Sequence, residues 1–223
     1  MFIGHFGVGF GAKRAAPAVS LGMLFLACQL ADLIWPDLVL LGVERVEIAP
    51  GATAVTPLDF VSYPYSHGLA TLALWGAALG LIYHLVRRGD RRAPLTLALV
   101  VVSHWLLDFV SHRPDMPLAP GLAERYGLGL WNSVAATVVV ETVLFAAGIA
   151  LYLRATAARD RTGVVALWSL VVFLYLVSLA NLFGPPPPSV GAVAWVAQSL
   201  WLVVAWGFWV DRHRVARAPA PAP

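Results

Sequence analysis

The chain has 223 residues, of which 60% are hydrophobic and only 12% are charged, and its mean hydropathy is +0.77. Soluble domains carry charge on roughly 25% of their residues, so this composition excludes a water-soluble globule. It also excludes intrinsic disorder, because apolar surface is in excess. The net charge of +3 comes from short basic clusters between apolar runs, which indicates orientation in a membrane rather than nucleic-acid binding.

Long apolar runs define the predicted elements, since roughly 20 apolar helical residues cross a bilayer core about 30 Å thick. The segment before Lys13 is apolar but too short to cross, and we expect a half-helix with His5 near the midplane. Six helical spans follow, near residues 19–41, 66–86, 94–112, 131–154, 163–183 and 190–210. The runs do not alternate as barrel strands do. The predicted fold class is all-α, a polytopic membrane bundle forming a single domain over residues 1–217.

Prolines and glycines mark the connections between the predicted spans. Residues 42–65 form the longest loop and are broken by Pro50, Pro57 and Pro64, which favours a cap over the extracytoplasmic end of the bundle. The run Pro185–Pro188 predicts a stiff extended connection, and the Ala-Pro tail at 218–223 should be disordered.

Lys and Arg are distributed unequally between the two sets of loops. Twelve of the fifteen lie on one side, and only Arg45, Arg113 and Arg125 lie on the other. Because basic residues are retained on the cytoplasmic side, this bias places both termini in the cytoplasm.

Ionisable residues inside spans are functional candidates, because each costs about 2.5 to 3.5 kcal/mol on insertion scales. The third span carries His104, Asp108 and His112 at four-residue spacing, which places them on one face of a helix. A His-x-x-x-Asp pair can hold a divalent cation between imidazole and carboxylate. The alternative is that Asp108 pairs with a protonated histidine, or that the stripe bonds to polar groups on neighbouring helices.

Three further residues extend this cluster. Asp32 precedes Pro36, where a kinked helix can open its backbone toward a site, although a role at the helix end is an equal alternative. His67 begins the second span and faces the same predicted cavity. With His104 and Asp108 they form a nitrogen and oxygen set suited to zinc, manganese or iron. Glu141 is a further ligand, a general base or a structural partner.

These residues resemble the motifs of the LexA-regulated inner-membrane metal-dependent hydrolases, a bacterial family distantly akin to zinc-dependent phospholipase C. The resemblance covers about the first 120 residues. The matching pieces are Gly4-His5, Asp32 ahead of Pro36, Ser66-His67, and Ser103-His104 with Asp108 and the prolines Pro114, Pro117 and Pro120.

The resemblance implies a multi-pass protein of the bacterial inner membrane with a divalent metal, zinc above all. The metal ligands that it implies are His5, Asp32, His67, His104 and Asp108. Polar groups typical of the family are replaced by Ile34, Trp35, Ser62 and Tyr63. Either a mononuclear enzyme, in which Glu141 or His112 compensates, or an inactive relative is therefore expected.

Two classes of function remain open. The first is a hydrolase of phosphoester or lipid-linked substrates that enter from the outer-leaflet side. Asp108 and Glu141 are its catalytic candidates, His112 supports the metal site, and Arg45 and Arg113 at the rim would meet an anionic head group. The second is a non-catalytic subunit whose polar cluster is structural. Membrane lipids are the expected partners, with a protein partner possible along the last two spans.

Overall fold

The structure is a computed structural model that describes residues 1–87 and 92–217. The described helices account for most of these residues, and the strands form only short ribbons in the connections. The helices are α1 (Ile3–Ala12), α2 (Leu21–Cys28), α3 (Leu30–Leu40), α4 (Pro64–His67), α5 (Leu69–Val86), α6 (Arg92–Ser111), α7 (Val134–Ala155), α8 (Arg161–Phe183), α9 (Val190–Ala197) and α10 (Leu200–Arg212). A 3₁₀ turn at Leu130–Asn132 precedes α7.

Five helical segments of the described chain are long and apolar enough to cross a membrane, or six if one bent pair counts as a single span. They are α5, α6, α7, α8 and the segment Val190–Arg212, and the bent pair is α2 with α3. Large apolar side chains such as Leu81 and Ile82 of α5 point outward, as hydrocarbon-facing residues do. The chain is therefore a multi-pass membrane protein with a helical bundle.

Two predicted spans are interrupted. The predicted helix over 19–41 breaks at Gln29, where α2 and α3 meet at 53°, and the predicted helix over 190–210 breaks between α9 and α10. Pro36 lies inside α3 and does not cause the first break. The break at Gln29 has a consequence for the site, because the last carbonyls of α2 lose their helical donors there.

Three two-stranded antiparallel ribbons, which the sequence analysis did not predict, occupy the connections. The ribbon of β1 (Arg45–Ile48) and β2 (Leu58–Ser62) lies within the predicted cap loop. The second pairs β3 (Met116–Pro117) with β4 (Arg125–Tyr126), and the third pairs β5 (Thr156–Ala158) with β6 (Arg214–Ala216). The predicted disordered tail at 218–223 lies outside the described residues.

The predicted N-terminal half-helix is present as α1, and it is buried rather than peripheral. Its glycine face crosses α7 at close range, since a Cβ on Gly7 would lie 2.6 Å from the Leu144 carbonyl oxygen. Gly148 of α7 faces the Gly7 backbone in the same crossing. Small residues allow helix backbones in membranes to approach this closely. This packing holds His5, on the same short helix, inside the bundle.

Ion pairs and hydrogen bonds fasten the end of the bundle where α1 and α10 finish. Lys13 is buried and its Nζ contacts Asp211 Oδ1 at 3.0 Å and donates to the Val19 carbonyl at 2.7 Å. Nearby, the Arg214 guanidinium donates to Thr156 Oγ1 at 3.1 Å and to the Gly163 carbonyl at 3.1 Å. These bonds tie the last helix to the connection between α7 and α8.

Candidate metal centre

The five residues that the resemblance implies as metal ligands come together in the structure. They are carried by α1, α3, α4 and α6, and they form two triads of donor atoms that share one histidine. One triad is His5, His104 and Asp108, and the other is Asp32, His67 and His104. The donor atoms within each triad lie within 4.8 Å of one another. These buried histidines and aspartates could hold a metal ion.

His104 is fixed by the backbone of α2. Its Nδ1 lies 2.8 Å from the carbonyl oxygen of Cys28, the residue at which α2 ends before the break at Gln29. A carbonyl can only accept, so Nδ1 must carry the ring proton. In the neutral ring, the other nitrogen, Nε2, then has a free lone pair. Anchoring of one imidazole nitrogen by a carbonyl is the usual outer support of a metal-binding histidine.

His67 is held in the same way by a side chain. Its Nδ1 lies 2.7 Å from Ser66 Oγ, and that hydroxyl donates its proton to Glu44 Oε2 at 2.6 Å. The Ser66 oxygen therefore accepts from the His67 ring, which again leaves Nε2 with a lone pair. Both histidines, when neutral, thus present Nε2 as the unprotonated nitrogen.

The two Nε2 atoms face the two carboxylates. His104 Nε2 lies 3.1 Å from Asp108 Oδ2 and 3.8 Å from Asp32 Oδ1. His67 Nε2 lies 3.3 Å from Asp32 Oδ1 and 3.9 Å from Asp108 Oδ2. Ligands about 2.1 Å from a tetrahedral zinc ion stand about 3.4 Å apart, which is close to the mean of these separations.

Hydrogen bonding within the described part of the chain leaves this cluster unsatisfied. His104 Nε2 is buried and has no hydrogen-bond partner there, although a carboxylate oxygen lies 3.1 Å away. With Nδ1 protonated and the ring neutral, both of these atoms are acceptors, and two acceptors at this distance repel each other unless a metal ion or a proton on Nε2 lies between them. The donor set and its orphaned nitrogen therefore fit a divalent cation.

His5 lies in the cluster but in a different relation to it. Its ring stacks on that of His104, with centroids 3.7 Å apart and planes 2° from parallel. The in-plane lone pairs of two parallel rings run side by side and do not converge on one ion. His5 Nε2 lies 3.1 Å from Asp108 Oδ1, an oxygen that the Met1 amino group also contacts. His5 therefore orients the Asp108 carboxylate.

Asp32 lies at the open edge of the cluster. Its side chain is 27% exposed, whereas those of His67, His104 and Asp108 are at most 5% exposed. Asp32 lies in the first turn of α3, just after the break at Gln29. The change of helix direction thus brings a carboxylate to the mouth of an otherwise closed cluster.

The remaining predicted residues lie outside the donor set. Glu141 Oε2 accepts from the backbone N–H groups of Phe2 at 2.8 Å and Gly4 at 3.2 Å, so this carboxylate holds the start of α1.

His112 Nδ1 faces Asp115 Oδ1 at 2.9 Å. Arg113 contacts Asp59 and Asp115, and Arg45 pairs with Glu47 on the exposed surface. All four residues are bonded to groups other than the donor set.

Sequence reasoning missed the two groups that orient the histidines. Glu44 lies in the predicted cap loop, where a single acidic residue carries no pattern that distinguishes it from Glu47. The Cys28 carbonyl is a backbone group and is invisible in the sequence until the break at Gln29 is known. Ser66 was the sequence feature that could have indicated a hydrogen-bond partner for the His67 ring, since it directly precedes that histidine.

Comparisons of the chain with protein-family models, with curated proteins and with solved structures returned no match.

Proposed function

We propose that the protein is an integral-membrane, metal-dependent hydrolase that acts on a phosphoester or lipid-linked substrate from the outer-leaflet side. One observation carries the proposal. The Nδ1 atoms of His67 and His104 both form hydrogen bonds, with Ser66 and with the Cys28 carbonyl, so the Nε2 atoms of the two neutral rings face two carboxylates. A neutral imidazole pair with two carboxylates neutralises a divalent cation, and zinc suits this mixed nitrogen and oxygen set.

The location that we propose is a bacterial inner membrane, with both termini in the cytoplasm and the cap outside. Its support is the resemblance to the inner-membrane hydrolases and the bias of basic residues. Lys13, Arg154 and Arg161 lie near the same bundle end as β5 and β6, as expected for a cytoplasmic face. The outer-leaflet lipids would be the source of substrate.

Each residue of the cluster has a separate role in the proposed reaction. His67, His104 and Asp108 would hold the cation, as three protein ligands do in catalytic zinc sites, and a bound cation would polarise a phosphoryl oxygen and lower the pKa of a water molecule. His5 fixes Asp108 through Oδ1. Asp32, at the exposed edge, is the carboxylate placed to accept a proton from the attacking water. Arg113, 35% exposed at the rim, would meet an anionic head group only by releasing its own carboxylate partners.

Elemental analysis of the detergent-purified protein tests this function. We expect about one equivalent of zinc in the wild type. His104→Ala should lose both the metal and the phosphodiesterase activity. His84→Ala on α5, a histidine outside the cluster, is the matched control and should keep both. A wild-type protein that is folded, free of metal and unable to bind added zinc would refute the proposal.

A second function is favoured by one observation. Each carboxylate lies 3.1 to 3.3 Å from an imidazole nitrogen, so a protonated histidine would satisfy it without a metal. The cluster would then fix helix packing in a non-catalytic subunit, and the exposed Trp195 and Trp201 of the last span would meet a partner protein. Copurification of a metal-free chain in a larger complex would support this alternative.

A further inference from the structure

Glu44 is a buried carboxylate that the proposed reaction does not use. It is 2% exposed, and in the described part of the chain it forms no ion pair. Its Oε1 accepts from the backbone N–H groups of Tyr65 at 2.8 Å and Ser66 at 2.9 Å, and its Oε2 accepts from the Ser66 hydroxyl. All three bonds go to the short segment that carries His67.

Ser66 transmits the effect of this carboxylate to the ring of His67. A serine hydroxyl has one proton to donate, and Glu44 takes it because a carboxylate can only accept. At 2.7 Å from His67 Nδ1, the Ser66 oxygen can therefore only accept in turn. The direction of each hydrogen bond is thus fixed by the charge at the far end of the chain.

We propose that Glu44 is a positioning residue that sets the tautomer of His67. By fixing the proton on Nδ1, it presents Nε2 with a free lone pair to the cation, and this inference rests on the proposed function for its purpose. The effect acts through Ser66, since no hydrogen bond or ion pair joins Glu44 to His67 directly among the described residues.

The comparison with His104 explains why such a residue is needed. A backbone carbonyl fixes His104, and a carbonyl accepts under all conditions. A serine hydroxyl can either donate or accept, so the Ser66–His67 pair alone leaves the tautomer open. The charge of Glu44 removes that freedom. Because Glu44 lies in the cap and His67 in the bundle, this bond chain also couples the cap to the site.

The isosteric variant Glu44→Gln tests the direction of the chain. The glutamine oxygen can still accept from the two backbone N–H groups, but its NH₂ group would donate to Ser66. Ser66 would then donate to His67 Nδ1, and the ring proton would move to Nε2. We expect ¹⁵N NMR of the metal-free, histidine-labelled protein to show Nδ1–H in the wild type and Nε2–H in Glu44→Gln. His67→Ala assigns the signal.

Metal affinity gives a second readout. Loss of an outer-shell partner lowers affinity about 10–100-fold, and we expect a zinc dissociation constant raised by that factor in Glu44→Gln and in Ser66→Ala. Ser66→Thr retains the hydroxyl and should restore both tautomer and affinity. Glu47→Gln, in the neighbouring β1 and exposed, is the matched control. In a His67→Ala background, Glu44→Gln should have no further effect, which a general loss of structure would not reproduce.

The outcomes separate this inference from the proposed function. An Nδ1–H tautomer that persists in Glu44→Gln, with unchanged zinc affinity, overturns the role of Glu44 and leaves the metal site intact. A wild type that binds no zinc but changes tautomer in Glu44→Gln supports the positioning role and refutes the hydrolase. If Glu44→Gln does not fold, Ser66→Ala decides the question, because it retains the bonds from Glu44 to the backbone.

Discussion

Two polar regions lie near the C-terminal end of α6, one on the helix and one just beyond it, and they differ in how their protons are distributed. The region beyond the helix, here called the rim network, comprises Tyr63, His112, Arg113, Asp115 and Asp59. Asp115 Oδ1 accepts from the Tyr63 hydroxyl at 2.8 Å and from His112 Nδ1 at 2.9 Å, and Arg113 contacts both aspartates. Each acceptor named here faces a donor.

The candidate metal cluster, one helical turn earlier in α6, also combines histidines with aspartates but has the opposite arrangement. The Nδ1–H donors of His104 and His67 point away from its centre, to the Cys28 carbonyl and to Ser66. When the two rings are neutral, their Nε2 acceptors therefore face the carboxylate acceptors of Asp32 and Asp108. The comparison teaches that a His and Asp stripe does not by itself indicate a metal. The position of the ring protons, set by the outer partners, distinguishes a cation site from a structural network.

The strongest test of this comparison removes one central acceptor. Asp108→Asn keeps the size of the side chain, and its NH₂ group can donate to the orphaned Nε2 of His104. We expect a folded bundle whose zinc affinity, measured by competition with a chelating dye, falls by more than about 100-fold, beyond the outer-shell range.

Asp115→Asn is the matched control for that substitution, because it makes the same change in the rim network. It should leave the zinc affinity within about 2-fold of the wild type, since no Asp115 atom belongs to the donor set. Equal losses of affinity in the two variants would remove the distinction between the two regions.

Asp115→Ala tests how much the rim network contributes to the stability of the protein. The substitution removes the acceptor that the Tyr63 hydroxyl and the His112 N–H share, and it leaves only contacts of 3.3 Å between these two groups and from Tyr63 to Met116 Sδ. Loss of a buried acceptor costs about 1–3 kcal/mol. We expect a lower midpoint of thermal unfolding in detergent and an unchanged zinc content. A midpoint equal to that of the wild type, or loss of zinc, would contradict the independence of the two regions.

The spans and the members of the cluster could be predicted because both follow from local patterns. Apolar runs of membrane length predicted the bundle, and four-residue spacing placed His104 and Asp108 on one face of α6. The breaks could not be predicted in this way. Gln29 lies within an apolar run where nothing in the sequence ends a helix, and Pro36, the residue expected to open the backbone, lies within the intact α3.

The roles within the site depend on contacts between distant segments, which local patterns do not contain. His112 shares the stripe with His104, but α6 ends at Ser111, so the histidine turns into the rim network. Glu141 has the chemistry of a general base, and its position against α1 is set by the crossing of Gly7 and Gly148. The three ribbons were missed because strands of two to five residues carry too little periodicity to detect.

The smallest expected effect concerns protonation of His112. Burial lowers the pKa of this imidazole below its ordinary value of 6.5, so the unfolded chain binds a proton more readily than the folded chain. The contribution of His112 to stability is therefore complete above pH 6.5 and decreases as the pH falls toward the folded pKa. His112→Asn removes this term, and we expect its unfolding midpoint to approach that of the wild type between about pH 7.5 and about pH 5.5. A gap between the two midpoints that stays constant over this range would show that the His112 imidazole is not held in its neutral form. The rim network would then accommodate a positive charge, as the candidate metal cluster is proposed to do with its cation.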